Sequence, residues 1–354
     1  MPTAGPTAHN LVELLRQQAE RYRDKVAFSF SYNGDDEDRS QLTYHELDIR
    51  ARAIASNLQQ QGAAGERVLV FCRPGLDGIA GFFGCLYAGA VAVPVHQRLA
   101  PRLSSVVPDA QAGFALGAPE TQAKIKTAVD TLVGLIDGQP LRWCGTDAAA
   151  ADAEKWVAPD VDASAPALVQ YTSGSTTSPK GVVLTQDNLL SNLEIVRQTW
   201  GGGDQDICLF WLPQHHDMGL IGGVLSPLYL GSTSILMSPG AFIERPMRWL
   251  EAMSRNRATF TGAPNFAYHL CVERSTPAER AALDLSHWST AMNGAEPVRA
   301  DTMRAFAEAF APAGFRPEAF HPVYGLAEAT LLVSGGSESA VPVVHHIDRG
   351  ALET

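Results

Sequence analysis

The sequence predicts an α/β protein with mainly parallel sheets, and three observations support this prediction. Segments with helical and strand periodicity alternate through most of the 354 residues, as expected of strand–helix–strand units. Two uncharged runs, 78–95 and 219–237, contain Pro and several Gly, so each is expected to be a buried helix and a buried strand, not a membrane span. The proportions of 45% hydrophobic and 18% charged residues are ordinary for a folded protein.

The elements follow from local patterns. Apolar residues recur at helical spacing over 10–22, and Thr43 with Glu46 forms a capping box before a second helix. Strands are predicted at 26–30, 67–71, 91–95, 168–171, 207–211, 234–237, 258–261, 290–292 and 320–323. Further helices are predicted through 82–87 and at 187–200, 246–254 and 300–310.

Charge and cysteine usage limit the function classes. The formal net charge of −11 argues against a nucleic-acid partner, because such a surface needs a basic patch to displace counterions. The first ten residues show no signal-peptide pattern. The five cysteines are widely spaced without a C-x-x-C pair, which favours buried, reduced thiols. We therefore expect a cytoplasmic protein without a membrane span.

The segment most indicative of function is YTSGSTTSPKG at 171–181, between a predicted strand and a predicted helix. Its hydroxyl side chains and backbone N–H groups suit phosphate oxygens, and Lys180 adds a cation. It is not a Walker A loop, since no GxxxxGK followed by Ser or Thr occurs. The alternative is a solvated Ser/Thr turn, and the Pro-Lys-Gly ending argues against it.

A second polar segment, HHDMGLIGG at 215–223, places His216 and Asp217 between apolar stretches. An imidazole near a carboxylate substrate can donate a hydrogen bond or orient the acid. The alternatives are a metal site or a core histidine, although adjacent histidines make a poor metal pair without further ligands. His345 and His346 are expected at the surface.

Two more motifs follow predicted strands. NGAEP at 293–297 brings a glycine to the carboxyl end of a strand, where α/β sheets bind nucleotides. YGLAE at 324–328 brings Glu328 to a predicted helix start. There its oxygens suit a hard cation, and the alternative is that the carboxylate stabilises the helix dipole.

These four motifs, in this order, resemble those of the adenylate-forming superfamily of acyl-CoA synthetases, peptide-synthetase adenylation domains and luciferases. Thr177 stands where that family often has Gly, and Ala327 where many members have Thr. The segments HDMGLIGG, YGLAEATL, GAPNFAY at 262–268 and DRGAL at 348–352 are similar to fatty acyl-AMP ligases in particular.

The resemblance implies a fold of two interleaved subdomains, each a largely parallel sheet flanked by helices, with the nucleotide groove between them. Residues 65–200 would form roughly the subdomain with the phosphate loop. Residues 8–60 plus 205–340 would form roughly the second subdomain, with the adenine and acyl sites. Residues 1–354 would be a fragment of the large adenylation domain. The third subdomain and the small C-terminal domain with its catalytic Lys are expected to be absent.

The resemblance also implies an activity. ATP and Mg²⁺ would activate a medium- or long-chain fatty acid to an acyl-adenylate, for transfer to the phosphopantetheine thiol of an acyl carrier protein. One rival is a fatty acyl-CoA synthetase with the same first step. The other is a non-catalytic adenylate-binding module, against which the presence of Lys180 and Glu328 argues.

The same resemblance assigns roles to individual residues. The catalytic residues would be His216, Lys180 and Glu328, and Glu328 would also be the metal ligand. The ATP- and AMP-binding residues would be Thr172, Ser173, Gly174, Ser175, Thr176, Lys180, Asn293, Gly294, Ala295, Glu296, Tyr324, Gly325, Leu326 and Ala327. The acyl chain would contact Met218, Leu220, Ile221, Pro264, Asn265, Phe266 and Ala267.

Overall fold

Strands and helices alternate along the chain. The computed structural model describes residues 5–71, 73–95, 100–134, 140–172, 180–336, 341–348 and 350. Its strands are β1 (Val26–Ser31), β2 (Ser40–Thr43), β3 (Arg67–Phe71), β4 (Val91–Val95), β5 (Phe114–Gly117), β6 (Arg142–Gly145), β7 (Pro166–Thr172), β8 (Lys180–Thr185), β9 (Ile207–Phe210), β10 (Thr233–Met237), β11 (Phe260–Pro264), β12 (Thr290–Gly294), β13 (Phe320–Gly325) and β14 (Leu332–Gly335).

The helices lie mostly between consecutive strands. They are α1 (Leu11–Arg21), α2 (Tyr44–Gln60), α3 (Leu76–Tyr87), α4 (Ala100–Ala110), α5 (Pro119–Gly134), α6 (Gln186–Trp200), α7 (Ser226–Leu230), α8 (Pro239–Glu244), α9 (Met247–Arg255), α10 (Asn265–Glu273), α11 (Pro277–Ala281) and α12 (Ala300–Phe310). A π-helical segment, Met218–Leu225, leads directly into α7. The uncharged runs 78–95 and 219–237 therefore form buried helix and strand, as predicted.

The strands form two sheets. One has eight strands in the order β14-β13-β12-β11-β9-β10-β1-β2, and the other has six in the order β6-β5-β3-β4-β7-β8. Among the described strands, β2, β8 and β14 are the ones that pair with their neighbours in antiparallel fashion. The predicted α/β class with mainly parallel sheets is confirmed, and the three antiparallel strands each lie at a sheet edge.

Apolar packing joins the two sheets. One core cluster includes side chains from α1, α2 and α3 together with residues of both sheets, such as Val70 and Phe210. A second cluster, with Leu69 and Val93, covers the other face of the six-stranded sheet beneath α4 and α5. Burial of this kind is the main source of folding free energy, and it holds the carboxyl ends of the site-bearing strands in place.

Local sequence signals set several boundaries. The capping box of α2 is present, with Glu46 N–H donating to Thr43 Oγ1 at 3.1 Å and Thr43 N–H to Glu46 Oε2 at 2.8 Å. The strand predicted at 258–261 instead begins at Phe260. Arg257 has a φ of +51°, and Ala258 N–H still donates to Met253 O at 3.0 Å. The turn that ends the helix thus takes up Ala258, whereas Thr259 already bonds to the adjacent strand β9, its N–H donating to Ile207 O at 2.9 Å.

Two further expectations concern the cysteines and the apolar helices. Cys85, Cys144, Cys208 and Cys271 are buried thiols, as predicted, and Cys72 lies outside the described residues. Within the described ranges, no helix has the length and apolar character needed to cross a membrane.

Candidate active site

A cleft of about 300 Å³ lies between the two sheets, at the carboxyl ends of β7, β12 and β13. This is the edge at which open α/β sheets bind ligands. Its lining comprises Gln170, Tyr171, Thr172, Trp200, His216, Asp217, Met218, Met292, Ala295, Val323, Tyr324, Gly325, Leu326, Ala327, Glu328, Leu331 and Leu332. The cleft therefore brings together residues from all four motifs, which are far apart in sequence.

The phosphate-loop motif sits on a hairpin at the edge of the six-stranded sheet. Thr172, the last residue of β7, lies opposite Lys180, the first residue of β8. Thr172 lines the cleft, whereas Lys180 is exposed and is not among the lining residues. Ser173, Gly174, Ser175 and Thr176, which were predicted to bind phosphate, lie outside the described residues. The described parts of this motif thus place both ends of the loop beside or near the cleft.

His216 is held by its neighbour Asp217. Its Nδ1 lies 2.6 Å from Asp217 Oδ1, and the same carboxylate oxygen accepts Met218 N–H at 2.6 Å. The hydrogen bond to Asp217 raises the pKa of the His216 imidazole, against the opposing effect of desolvation. The imidazole side chain is 55% exposed. With Nδ1 engaged, Nε2 is the ring nitrogen available to a ligand in the cleft.

Gln170 is a site residue that the sequence analysis missed. This β7 side chain is 2% exposed, and its Nε2 donates to His215 O at 2.7 Å. Its Oε1 is buried without a hydrogen-bond partner among the described residues. Gln170 therefore ties the strand before the phosphate loop to the histidine segment. The available signal was one amide directly after the apolar residues Ala167–Val169 of β7, because a buried polar group needs a partner.

The NGAEP motif turns sharply at the end of β12. Asn293 is fully buried, and a Cβ atom on Gly294 would lie 2.5 Å from Val323 Cγ2 on β13. The glycine thus allows close approach of the neighbouring strand β13, a packing role that its predicted place at a nucleotide-binding strand end did not include. Ala295 adopts a φ of +63° and lines the cleft. The Glu296 carboxylate turns away to accept Phe266 N–H at 2.6 Å.

The YGLAE motif spans the end of β13 and the following turn. The Tyr324 side chain is 60% exposed and lines the cleft together with Gly325, Leu326 and Ala327. Glu328 was predicted at a helix start, but it lies in a three-residue 3₁₀ turn, Ala327–Ala329, that leads to β14. The helix-dipole interpretation is therefore wrong, because a single short turn carries no helix dipole of consequence.

The Glu328 carboxylate suits a hard cation. The residue is exposed on the wall of the cleft, and no described side chain forms a hydrogen bond or ion pair with it. Mg²⁺ is commonly bound by one or two carboxylates together with substrate phosphates and waters. An unpaired carboxylate in the same cleft as the phosphate-loop strand is the donor set that such binding requires.

The predicted acyl-binding residues divide into several groups. Met218 lines the cleft, and Leu220 lines a neighbouring pocket of about 100 Å³. Ile221 and Ala267 are fully buried in the core. Pro264 is half-buried, and the Phe266 ring lies 6.2 Å from that of Trp211.

The remaining predicted acyl residue, Asn265, is 6% exposed. Its Oδ1 accepts Arg299 N–H at 3.0 Å and its Nδ2 donates to Thr302 Oγ1 at 3.2 Å. Pro264, Asn265, Phe266 and Ala267 are not among the lining residues of either cavity. Of the seven residues, the geometry brings only Met218 to the nucleotide-side cleft and only Leu220 to the neighbouring pocket.

Comparison with known proteins agrees with this arrangement. The medium-chain-fatty-acid–acyl-carrier-protein ligase JamA of Moorena producens is 44% identical over 337 residues, which cover 93% of this chain and 56% of the relative. A long-chain-fatty-acid–AMP ligase of Mycolicibacterium smegmatis is 38% identical over 363 residues, covering 99% of this chain and 57% of the relative. The chain thus spans just over half the length of these relatives.

A solved structure shows the same architecture. The fatty acyl-adenylate ligase from L. pneumophila, determined in complex with acyl adenylate and pyrophosphate, superposes with a TM-score of 0.86 at 39% identity, covering 94% of this chain and 57% of that chain. The profile of the AMP-binding enzyme family matches residues 15–349. With the four motifs gathered at one cleft and this match over most of its length, the chain belongs to the AMP-binding enzyme family.

Proposed function

We propose that the protein containing this chain uses ATP to activate a medium- or long-chain fatty acid as an acyl-adenylate, and then transfers the acyl group to the phosphopantetheine thiol of an acyl carrier protein. The observation that carries this proposal is the single cleft into which the phosphate-loop strand, His216, Ala295 and the 324–328 turn all converge. The fatty-acid and carrier-protein specificities in the names of the relatives support the choice of substrate and acceptor.

In this proposal the nucleotide lies across the cleft. Thr172 to Thr176 and Lys180 hold the β- and γ-phosphates, since hydroxyls, backbone N–H groups and a cation complement phosphate charge. Adenine lies between Tyr324, whose ring is exposed on the wall, and the turn formed by Asn293 to Glu296. Gly325 to Ala327 provide backbone close to the same base.

The chemistry is displacement at the α-phosphorus. A carboxylate oxygen of the fatty acid forms a bond to this phosphorus, the bond to the bridging oxygen breaks, and pyrophosphate leaves with the electron pair. His216, with Nδ1 fixed by Asp217, presents Nε2 to orient the carboxylate. The contribution of the protein is mainly orientation and charge neutralisation, as in other phosphoryl-type transfers.

Glu328 would hold Mg²⁺, as its unpaired position in the cleft favours. When bound, the ion neutralises negative charge on the phosphate oxygens. The acyl chain would leave the cleft past Met218 towards Leu220, whose neighbouring pocket is lined largely by apolar residues such as Ile79 and Phe82. A role for Ile221, Pro264, Asn265, Phe266 and Ala267 in acyl binding stays a prediction.

The two-subdomain division is part of the same proposal. Residues 65–200 contribute β3 to β8 of the six-stranded sheet, and residues 8–60 plus 205–340 contribute the eight-stranded sheet. This strand membership supports a phosphate-loop subdomain facing a subdomain with the adenine and acyl sites.

The substitution Glu328→Gln tests the proposal. In the full-length natural protein it should lower fatty-acid-dependent pyrophosphate exchange by at least about 10- to 100-fold, the effect typical of perturbing a metal's surroundings. Glu318→Gln is the matched control, because Glu318 is also an exposed central residue of a three-residue 3₁₀ turn, Pro317–Ala319, but lies outside the cleft. Near-normal exchange in Glu328→Gln would refute the assignment of the metal ligand.

The acceptor is tested separately by product analysis. The wild-type protein is incubated with ATP, a fatty acid and either a phosphopantetheinylated carrier protein or coenzyme A. The proposal expects acyl-carrier thioester. Acyl-coenzyme A as the main product would favour the synthetase alternative, and a lack of any adenylate would favour a non-catalytic binding module.

A further inference from the structure

Asn192 on α6 forms a network of hydrogen bonds with the chain that follows Glu328. Its side chain is buried, with 6% exposure. Its Nδ2 donates to Leu332 O at 2.9 Å and to Ala329 O at 3.3 Å, and its Oδ1 accepts Leu332 N–H at 3.0 Å. One amide thus pairs with both backbone groups of Leu332, in the way a neighbouring strand would, although the two residues are 140 positions apart.

The turn held by this amide is strained. Thr330 has φ +74° and ψ −66°, a conformation that β-branched residues rarely adopt and that persists only when surrounding contacts impose it. Its Oγ1 donates to Asn188 O on α6 at 3.4 Å. The helix therefore holds the residues immediately after Glu328 through the side chain of Asn192 and the backbone of Asn188.

Helix α6 is also the direct continuation of the phosphate-loop hairpin. Strand β8 begins at Lys180 and ends at Thr185, which caps α6. Asn188 N–H donates to Thr185 Oγ1 at 3.1 Å, and Thr185 N–H donates to Asn188 Oδ1 at 3.0 Å. The first two turns of α6 therefore connect the hairpin rigidly to the turn that bears Glu328.

We propose that Asn192 is a positioning residue that fixes Glu328 relative to the phosphate-loop hairpin formed by β7 and β8, and thereby sets the affinity of the protein for the metal–nucleotide complex. The inference rests on the proposed role of Glu328 as the metal ligand. Asn192 does not line the cleft, so it acts through the turn and not by touching the nucleotide. Loss of its hydrogen bonds would free Thr330 to relax and the Glu328 carboxylate to move.

The test uses two variants. Asn192→Leu removes all three hydrogen bonds at similar side-chain volume, and Asn192→Asp keeps a side-chain oxygen that can accept the hydrogen bond from Leu332 N–H. Calorimetry measures ATP binding over a range of Mg²⁺ concentrations, and pyrophosphate release with dodecanoate follows activity. We expect the Mg²⁺ concentration for half-maximal ATP binding to rise about 10- to 100-fold in Asn192→Leu. Asn192→Asp, the milder change, should show a smaller rise and remains informative if the Leu variant fails to fold.

The matched control is Gln18→Leu. Gln18 is another buried amide, 5% exposed, whose Nε2 donates to two backbone carbonyl oxygens, Leu228 O at 3.0 Å and Tyr229 O at 2.9 Å. It does not line the cleft. Gln18→Leu should lower the thermal stability about as much as Asn192→Leu does, while leaving the Mg²⁺ dependence of ATP binding unchanged. This comparison separates a positioning role from a merely structural one.

A double-mutant cycle with Glu328→Gln completes the test. If Asn192 acts through Glu328, Asn192→Leu should not shift the Mg²⁺ dependence any further in the Glu328→Gln background. Unchanged Mg²⁺ dependence in both Asn192 variants would overturn the inference. So would a shift caused by Asn192→Leu that is as large in the Glu328→Gln background as in the wild-type background. A wild-type protein that binds ATP with Mg²⁺ but forms no acyl-adenylate would contradict the proposed function alone.

Discussion

Replacing Tyr324 with Ala should weaken nucleotide binding without unfolding the protein. The Tyr324 side chain is 60% exposed on the wall of the cleft, next to the 3₁₀ turn that bears Glu328. In the proposed binding mode the ring of Tyr324 stacks on adenine, and base–aromatic stacking contributes about 1–3 kcal/mol. At about 1.4 kcal/mol per factor of ten, this corresponds to roughly a 5- to 150-fold increase in the Kd for ATP.

The stability of the variant should change little. A side chain that is mostly exposed loses little packing on truncation, so the free energy of unfolding should stay within about 0.5 kcal/mol of the wild-type value. Tyr324→Phe is the control, because it keeps the ring and removes only the hydroxyl. Its Kd for ATP should lie within about twofold of wild type if stacking is the dominant interaction.

The assay is calorimetric titration of ATP in the presence of Mg²⁺, with chemical denaturation to compare stabilities. The reasoning would be refuted by a Tyr324→Ala protein of normal stability that binds ATP as tightly as the wild type. An equal loss in Tyr324→Phe would show that the hydroxyl, and not the ring face, provides the interaction.

Three further predictions follow from the structure. Gly219→Ala should lower the free energy of unfolding by about 1–3 kcal/mol in denaturant titrations, because the new Cβ atom would lie 2.1 Å from Pro213 O. Gly222→Ala is the control and should be nearly neutral, since the atoms nearest to its Cβ atom would be 3.9 Å away. The hydrogen bond to Asp217 raises the pKa of His216. The loss in free energy of unfolding caused by His216→Gln should therefore be greatest below the ordinary histidine pKa of about 6.5 and should decrease as the pH rises through the raised pKa. A loss that stays constant from pH 5 to 9 would contradict this. Dodecanoate should be adenylated in strong preference to acetate, since each buried CH₂ contributes about 0.8 kcal/mol, and equal kcat/KM values would disprove an apolar acyl pocket.

The sequence alone determined the α/β class, most element positions and the four motifs. These features depend on local patterns, such as the capping box of Thr43 and Glu46 or the glycine-containing apolar runs, and local patterns are read within a few residues. The weakest local predictions were at boundaries and turns. The sequence predicts a helix start at Glu328, but the structure has a 3₁₀ turn there, because the chain turns back at once so that β14 can pair with β13.

The tertiary structure alone decided how the motifs combine. Gln170 reaches His215 across 45 positions of sequence, and Asn192 reaches Leu332 across 140. Neither contact leaves a periodic signal, because it depends on which strand ends meet after the core has formed. The same holds for Asn265, predicted to face an acyl chain but engaged in hydrogen bonds with the 299–302 backbone and side chains. Local sequence specified the chemical groups of the site, and long-range packing decided which of them face the cleft.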